Sequence, residues 1–159
     1  MYYFIIILYF FTCFICQSEE YVTVFQAKVK NLKEFNISKN EKFRSYNLEG
    51  TFTDNFGNYG KFFSIITSDV KDGKLLRLDS TAENIFSNNE KIYIRAIREK
   101  SDVDAGIAYA IIIGASTKFK SLIGTKCTTS VRYFDDAIFG INKCKLSKKM
   151  NKVLQSNVD

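Results

Sequence analysis

The sequence predicts an all-β protein, a single antiparallel up-and-down barrel of about eight strands with a short basic C-terminal tail. Three observations carry this reading. From residue 21 onward apolar and polar residues alternate, with β-branched and aromatic enrichment, and helical periodicity is almost absent. Turn clusters interrupt the alternation at short intervals. The chain has 159 residues, 46% of them hydrophobic, enough for one core and too few for two. Closing the sheet into a barrel removes its edges, and a sandwich of similar size is the alternative.

Residues 1–18 are expected to be a signal peptide. Met1 to Cys16 carries no charge and one clearly polar side chain, Thr12. As a helix this run would reach about 24 Å, short of a hydrocarbon core of roughly 30 Å. It therefore reads as a secretory leader, with Cys16-Gln17-Ser18 placing small residues for a cut after Ser18. A secreted or periplasmic location follows, with no membrane association once the leader is removed. The barrel domain is placed at 19–146 and the C-terminal tail at 147–159.

The strands follow in order. Tyr21 to Lys30 is the first. Phe43 to Thr53 alternates Tyr46, Leu48, Gly50 and Phe52 with Ser45, Asn47, Glu49 and Thr51, the pattern of a sheet with one wet side. After the turn cluster Asp54 to Asn58, Tyr59 to Ser68 is the third strand. Asp72-Gly73 signals a tight turn before Lys74 to Ser80. Ser80 to Glu83 fits a capping box, so 80–90 holds either a helical turn or a strand continuing through Ile85 and Phe86. Lys91 to Lys100 carries Ile92, Ile94, Ala96 and Arg98 on one face. Ala105 to Ile113 is apolar on both faces, which predicts a strand covered on both sides. A long strand from Phe119 to Phe134 and a last one from Ala137 to Lys145 complete the set, and Leu146 to Asp159 is a short helix or disordered.

The last two strands fix their own register. If Asp135-Asp136 is a two-residue hairpin loop, Phe134 faces Ala137, and seven steps outward Cys127 faces Cys144. Odd steps are non-hydrogen-bonded pairs, with Cα atoms about 4.5 Å apart, inside the range a disulfide tolerates. With the other two cysteines in the leader, a Cys127–Cys144 bridge is expected of an exported domain.

Composition excludes several chemistries. The chain has no His, so Ser-His-Asp and Cys-His nucleophile systems and His-ligated zinc are ruled out. Once the leader is removed, two cysteines without a Cys-x-x-Cys spacing remain and offer neither a metal nor a thiol-redox site, and no cofactor is expected. The net charge of +6 comes mostly from scattered Lys without organised aromatic platforms, a solvated surface and not a nucleic-acid interface. Oligomeric state is not legible.

The stretch from Gly114 to Gly124 resembles the strand-turn-strand signature of allene oxide cyclase and dirigent-like barrels of calycin type, in which an apolar strand ends in a glycine-rich turn and an aromatic is followed five residues on by another Gly. Gly114, Phe119 and Gly124 match this signature, while Thr117 and Ser121 stand where the family usually has Gly. The resemblance implies an eight-stranded antiparallel barrel with a central cavity. It aligns no catalytic residue to this chain.

The uncharged face of the final hairpin, which includes Thr129, Val131, Tyr133, Ile138, Gly140 and Asn142, is expected to point inward. By the same rule so are Tyr46, Leu48, Phe52, Ile92, Ile94 and Arg98. The candidate ligand-lining residues are Tyr46, Ile94, Arg98, Tyr109, Val131 and Tyr133. Arg98 near a strand end is either a cation able to meet a carboxylate or an arginine snorkelling to water. Glu49, Asp102 and Asp104 read as surface charges. The expected function is binding of a small apolar molecule without catalysis, in a pocket of roughly 300 Å³ or more. The alternatives are a cofactor-free isomerase or cyclase and a solid barrel acting through its surface.

Overall fold

The computed structural model describes residues 20–157; the leader expected at 1–18 lies outside the described residues. Eight strands, β1 (Glu20–Ser38), β2 (Glu41–Asp54), β3 (Tyr59–Lys71), β4 (Lys74–Phe86), β5 (Lys91–Asp102), β6 (Ala105–Ala115), β7 (Lys126–Phe134) and β8 (Ala137–Lys145), form an antiparallel barrel in sequential order, closed by β1 against β8. A 3-10 segment, Thr117–Leu122, joins β6 to β7, and one helix, α1 (Lys148–Gln155), follows the barrel.

Turn chemistry sets the hairpins. Asp72 and Gly73 both have positive φ, the conformation that a tight two-residue turn demands. Asp135 does too, and the β7–β8 register runs from Phe134↔Ala137 to Cys127↔Cys144 as the sequence predicts. The Cys127–Cys144 disulfide is formed, with Cα atoms 4.2 Å apart.

The segment at 80–90 is strand through Phe86, followed by the turn at 87–90. The capping-box pair is pulled to opposite faces: Ser80 faces inward, its Oγ 2.9 Å from Ser64 Oγ, while Glu83 accepts from Lys91 Nζ at 2.8 Å outside. Cross-strand partners at every position outweigh a one-turn helix that would bury nothing.

Two strand expectations are corrected. The long strand from Phe119 does not exist; Thr117–Leu122 coils tightly so that Phe119 and Leu122, three residues apart, both bury fully under the barrel floor. The glycine-rich turn of the resemblance is thus a 3-10 plug here. Nor is β6 covered on both faces. Ala108, Ala110 and Ile112 point inward, while Ile107 and Tyr109 are 58% and 76% exposed on the outside.

The barrel has one closed end and one open end. At the floor, Leu154 of α1 is fully buried with Tyr21, Phe86, Phe119 and Leu122. Ser147 caps α1 by accepting from Met150 N. The floor loops are tied to this helix: Asn58 Nδ2 donates to Leu154 O at 3.1 Å, and Lys118 Nζ to Ser156 O at 3.1 Å. At the other end, β1 runs on beyond Lys28, its last residue paired with β8, and pairs there with β2 alone, while β2 stays paired with β3; on this overhang Phe35 stacks on Phe43. No helix among the described residues is long and apolar enough to cross a membrane.

Candidate functional site

Between the floor cluster and a second apolar cluster around Leu48, Ile66, Val70 and Leu75 lies an internal chamber of about 110 Å³. Its walls are almost entirely uncharged, because every strand sends its apolar or small alternate residues inward. Ile94, Val131, Tyr133 and Arg98 all line it. Leu78, Arg98 and Tyr133 also line a mouth recess of about 380 Å³, which lies at the open end and includes Tyr46. These three side chains therefore form the neck between recess and chamber. Tyr109 does not belong to this set: its side chain lies on the outer face of β6.

The chamber is smaller than the 300 Å³ or more expected, for a definite reason. Small residues stand on the inward faces at 50, 96 and 140, yet Gly140 is covered by the Phe25 ring from the neighbouring strand. Phe25 in turn meets Phe62 edge to face, with ring centroids 5.5 Å apart. Gly50 is closed off by the Ala27 Cβ and the β1 backbone.

Arg98 is the unusual group. It is 2% exposed, so it does not snorkel to water. Its Nη2 donates to Val103 O at 2.8 Å, and its Cζ lies 5.7 Å from the Tyr133 ring centroid, a cation–π contact. Its Nε and Nη1 have no hydrogen-bond partner among the described residues, and none of the nine ion pairs found there, all between other groups, involves it. Gly106 makes room for this side chain: a Cβ there would lie 2.9 Å from Arg98 Cδ.

Tyr46 and Tyr133 meet at the neck, their hydroxyl oxygens 3.0 Å apart. Burial raises the pKa of both, and for Tyr46 the neighbouring Tyr133 raises it further, while the Arg98 guanidinium pulls both back in part. Both phenols stay protonated at neutral pH and offer hydrogen bonds, not a base. Deeper in, Thr129 Oγ1 donates to Asn142 Oδ1 at 2.8 Å, and Ser64 meets Ser80. The two serines were not singled out from sequence, because β3 alternates Phe62, Ser64 and Ile66 against Phe63, Ile65 and Thr67, leaving neither face the more apolar. Glu49, Asp102 and Asp104 are exposed, and Asp102 pairs with Lys74 at 2.5 Å. No cluster of metal-binding side chains occurs among the described residues.

No family model matches the chain, and no curated protein matches it significantly. Solved structures share the fold. A protein of unknown function from Clostridium acetobutylicum is 17% identical with a TM-score of 0.59, over 79% of this chain and 97% of its own. An enzyme from Penicillium herquei is 11% identical with a TM-score of 0.58, over 79% of this chain and 93% of its own. At these identities the likeness is one of fold, and the chain belongs structurally with small eight-stranded antiparallel β-barrels.

Proposed function

We propose that this protein is an exported barrel that binds a small, largely apolar molecule in its interior. The observation that carries the reading is the arrangement of one sealed floor, one open end and an apolar chamber reached through a neck. A barrel meant only as a solid scaffold gains stability by filling such a space, since unfilled volume forfeits packing contacts. The disulfide is compatible with an oxidising compartment. Binding is favoured over an isomerase or cyclase because the hydroxyls at the neck are held protonated and the rim carboxylates of Asp104, Asp135 and Asp136 are exposed to water.

The test uses hexanol as probe. It should raise the melting temperature and perturb the methyl resonances of Ile94 and Val131, and Ala96→Leu, which fills the chamber, should abolish both effects. Native mass spectrometry of protein isolated from its own host should show a retained small molecule. Failure of the folded protein to bind either hexanol or the corresponding acid would sink the reading.

A further inference from the structure

We propose that the interior ligand carries a single carboxylate, held at the neck by the guanidinium of Arg98, with its apolar tail in the chamber. The ligand class is then a short-chain or aromatic monocarboxylate. This rests on the interior-binding reading and names the chemistry of its occupant.

The argument starts from the cost of the arginine. A guanidinium does not shed its charge in a protein, so burial leaves it either paired or costly. Arg98 has five N–H donors, and only the bond from Nη2 to Val103 O and the face of the Tyr133 ring engage them. Two buried nitrogens remain without acceptors, in a lining that otherwise carries no charge. Structural needs do not explain such a group, since a buried unpaired charge destabilises the fold that contains it. A carboxylate supplies the missing counter-charge, because its two oxygens match two donors along one edge of the guanidinium, the second N–H of Nη2 together with that of Nε or Nη1. The Tyr46 and Tyr133 hydroxyls, still protonated, stand beside the same place, and the one that accepts from the other keeps its own proton to donate to the carboxylate.

Size and charge limit the rest of the molecule. An apolar protein cavity of about 150 Å³ accepts benzene, so the 110 Å³ chamber fits a tail of a few carbons or a single ring that shifts its walls slightly. The rim carries Asp104, Asp135 and Asp136, with Arg44 already engaged by Glu34 at 2.7 Å and Lys28 lying 3.8 Å from Asp136. A second negative charge reaching the rim would meet these carboxylates, which selects a monoanion.

Titration calorimetry of the oxidised full chain with hexanoate, hexanol and acetate tests this. Hexanoate should bind about tenfold or more tighter than hexanol, the worth of a charged hydrogen bond, and about a hundredfold tighter than acetate, which lacks the buried tail. Arg98→Met should reverse the preference for acid over alcohol while leaving the empty protein as stable as before or more so. In the wild-type protein, the Arg98 Nε–H resonance should move on adding hexanoate and stay with hexanol, a measurement that holds whatever the variant does. Equal binding of hexanoate and hexanol, or an Arg98 resonance indifferent to hexanoate, overturns the carboxylate assignment and leaves interior binding standing. Failure of both hexanol and hexanoate to bind overturns the interior reading itself.

Discussion

The tip of the Phe25 ring lies over Gly140, its register partner on β8, and occupies the space that a side chain at 140 would need. This pairing sets the width of the chamber. A Cβ at 140 would overlap the ring, and Phe25 is held on its other side by Phe62. Gly140→Ala should therefore cost about 1–3 kcal/mol, the range for overpacking a core, measured by urea denaturation. Phe25→Leu in the Gly140→Ala background should recover part of that loss. Additive losses in the double variant would show that the two residues do not compete for one space.

The disulfide should stabilise the barrel through its loop. Cys127 and Cys144 are 17 residues apart in sequence, and closing a loop of that size contributes on the order of 3 kcal/mol in the chain-entropy model. The double variant Cys127→Ser, Cys144→Ser should unfold at correspondingly lower urea while keeping a wild-type far-ultraviolet spectrum, because the hairpin register is also fixed by its turn. A change below about 0.5 kcal/mol would show that the bridge merely decorates a hairpin already formed in the unfolded chain.

What sequence could and could not reveal divides along physical lines. The β7–β8 register was legible because the Asp135-Asp136 turn and the two cysteines impose one constraint twice. The inward direction of Arg98 was legible from alternation, but its burial was not, since that depends on Gly106 leaving room across the sheet and on the Val103 carbonyl closing over it. Tyr109 and Ile107 were misplaced because an apolar strand face carries no mark that distinguishes cover from exposure. The 3-10 plug had a readable signal, the three-residue spacing of Phe119 and Leu122, which competed with a strand reading on length alone. Chamber volume was out of reach, because ring placements such as that of Phe25 decide it.

Alkaline pH should destabilise the protein through its buried phenols. Burial raises the pKa of Tyr21, Tyr46 and Tyr133 above the ordinary 10.0. Such a group keeps its proton in the folded state after the unfolded chain has lost it. Its contribution is intact below about pH 10 and is lost as the pH climbs from there toward the raised folded values, with a slope near 1.4 kcal/mol per pH unit for each phenol. Tyr46→Phe should make the urea midpoint fall less steeply between pH 10 and about 11 than in the wild type. Identical slopes would mean that Tyr46 ionises as readily folded as unfolded.

The floor should depend on α1. Leu154 is fully buried against the 3-10 plug and the barrel, while Lys152, two residues earlier on the same short helix, is exposed. An eight-residue helix is too short to hold itself together in water, so docking through Leu154 and the Asn58 bond to its carbonyl must hold it in place. Leu154→Ala should cost about 2–5 kcal/mol, the range for emptying a core leucine site, and should expose the apolar floor residues Phe119 and Leu122, raising the fluorescence of a hydrophobic dye. Lys152→Ala should change stability by less than about 0.5 kcal/mol. Because the chamber is sealed on this side only by the floor, Leu154→Ala should also weaken hexanol binding by letting water reach the apolar walls. A Leu154→Ala protein that melts with the wild type and excludes the dye would show that α1 is not the seal.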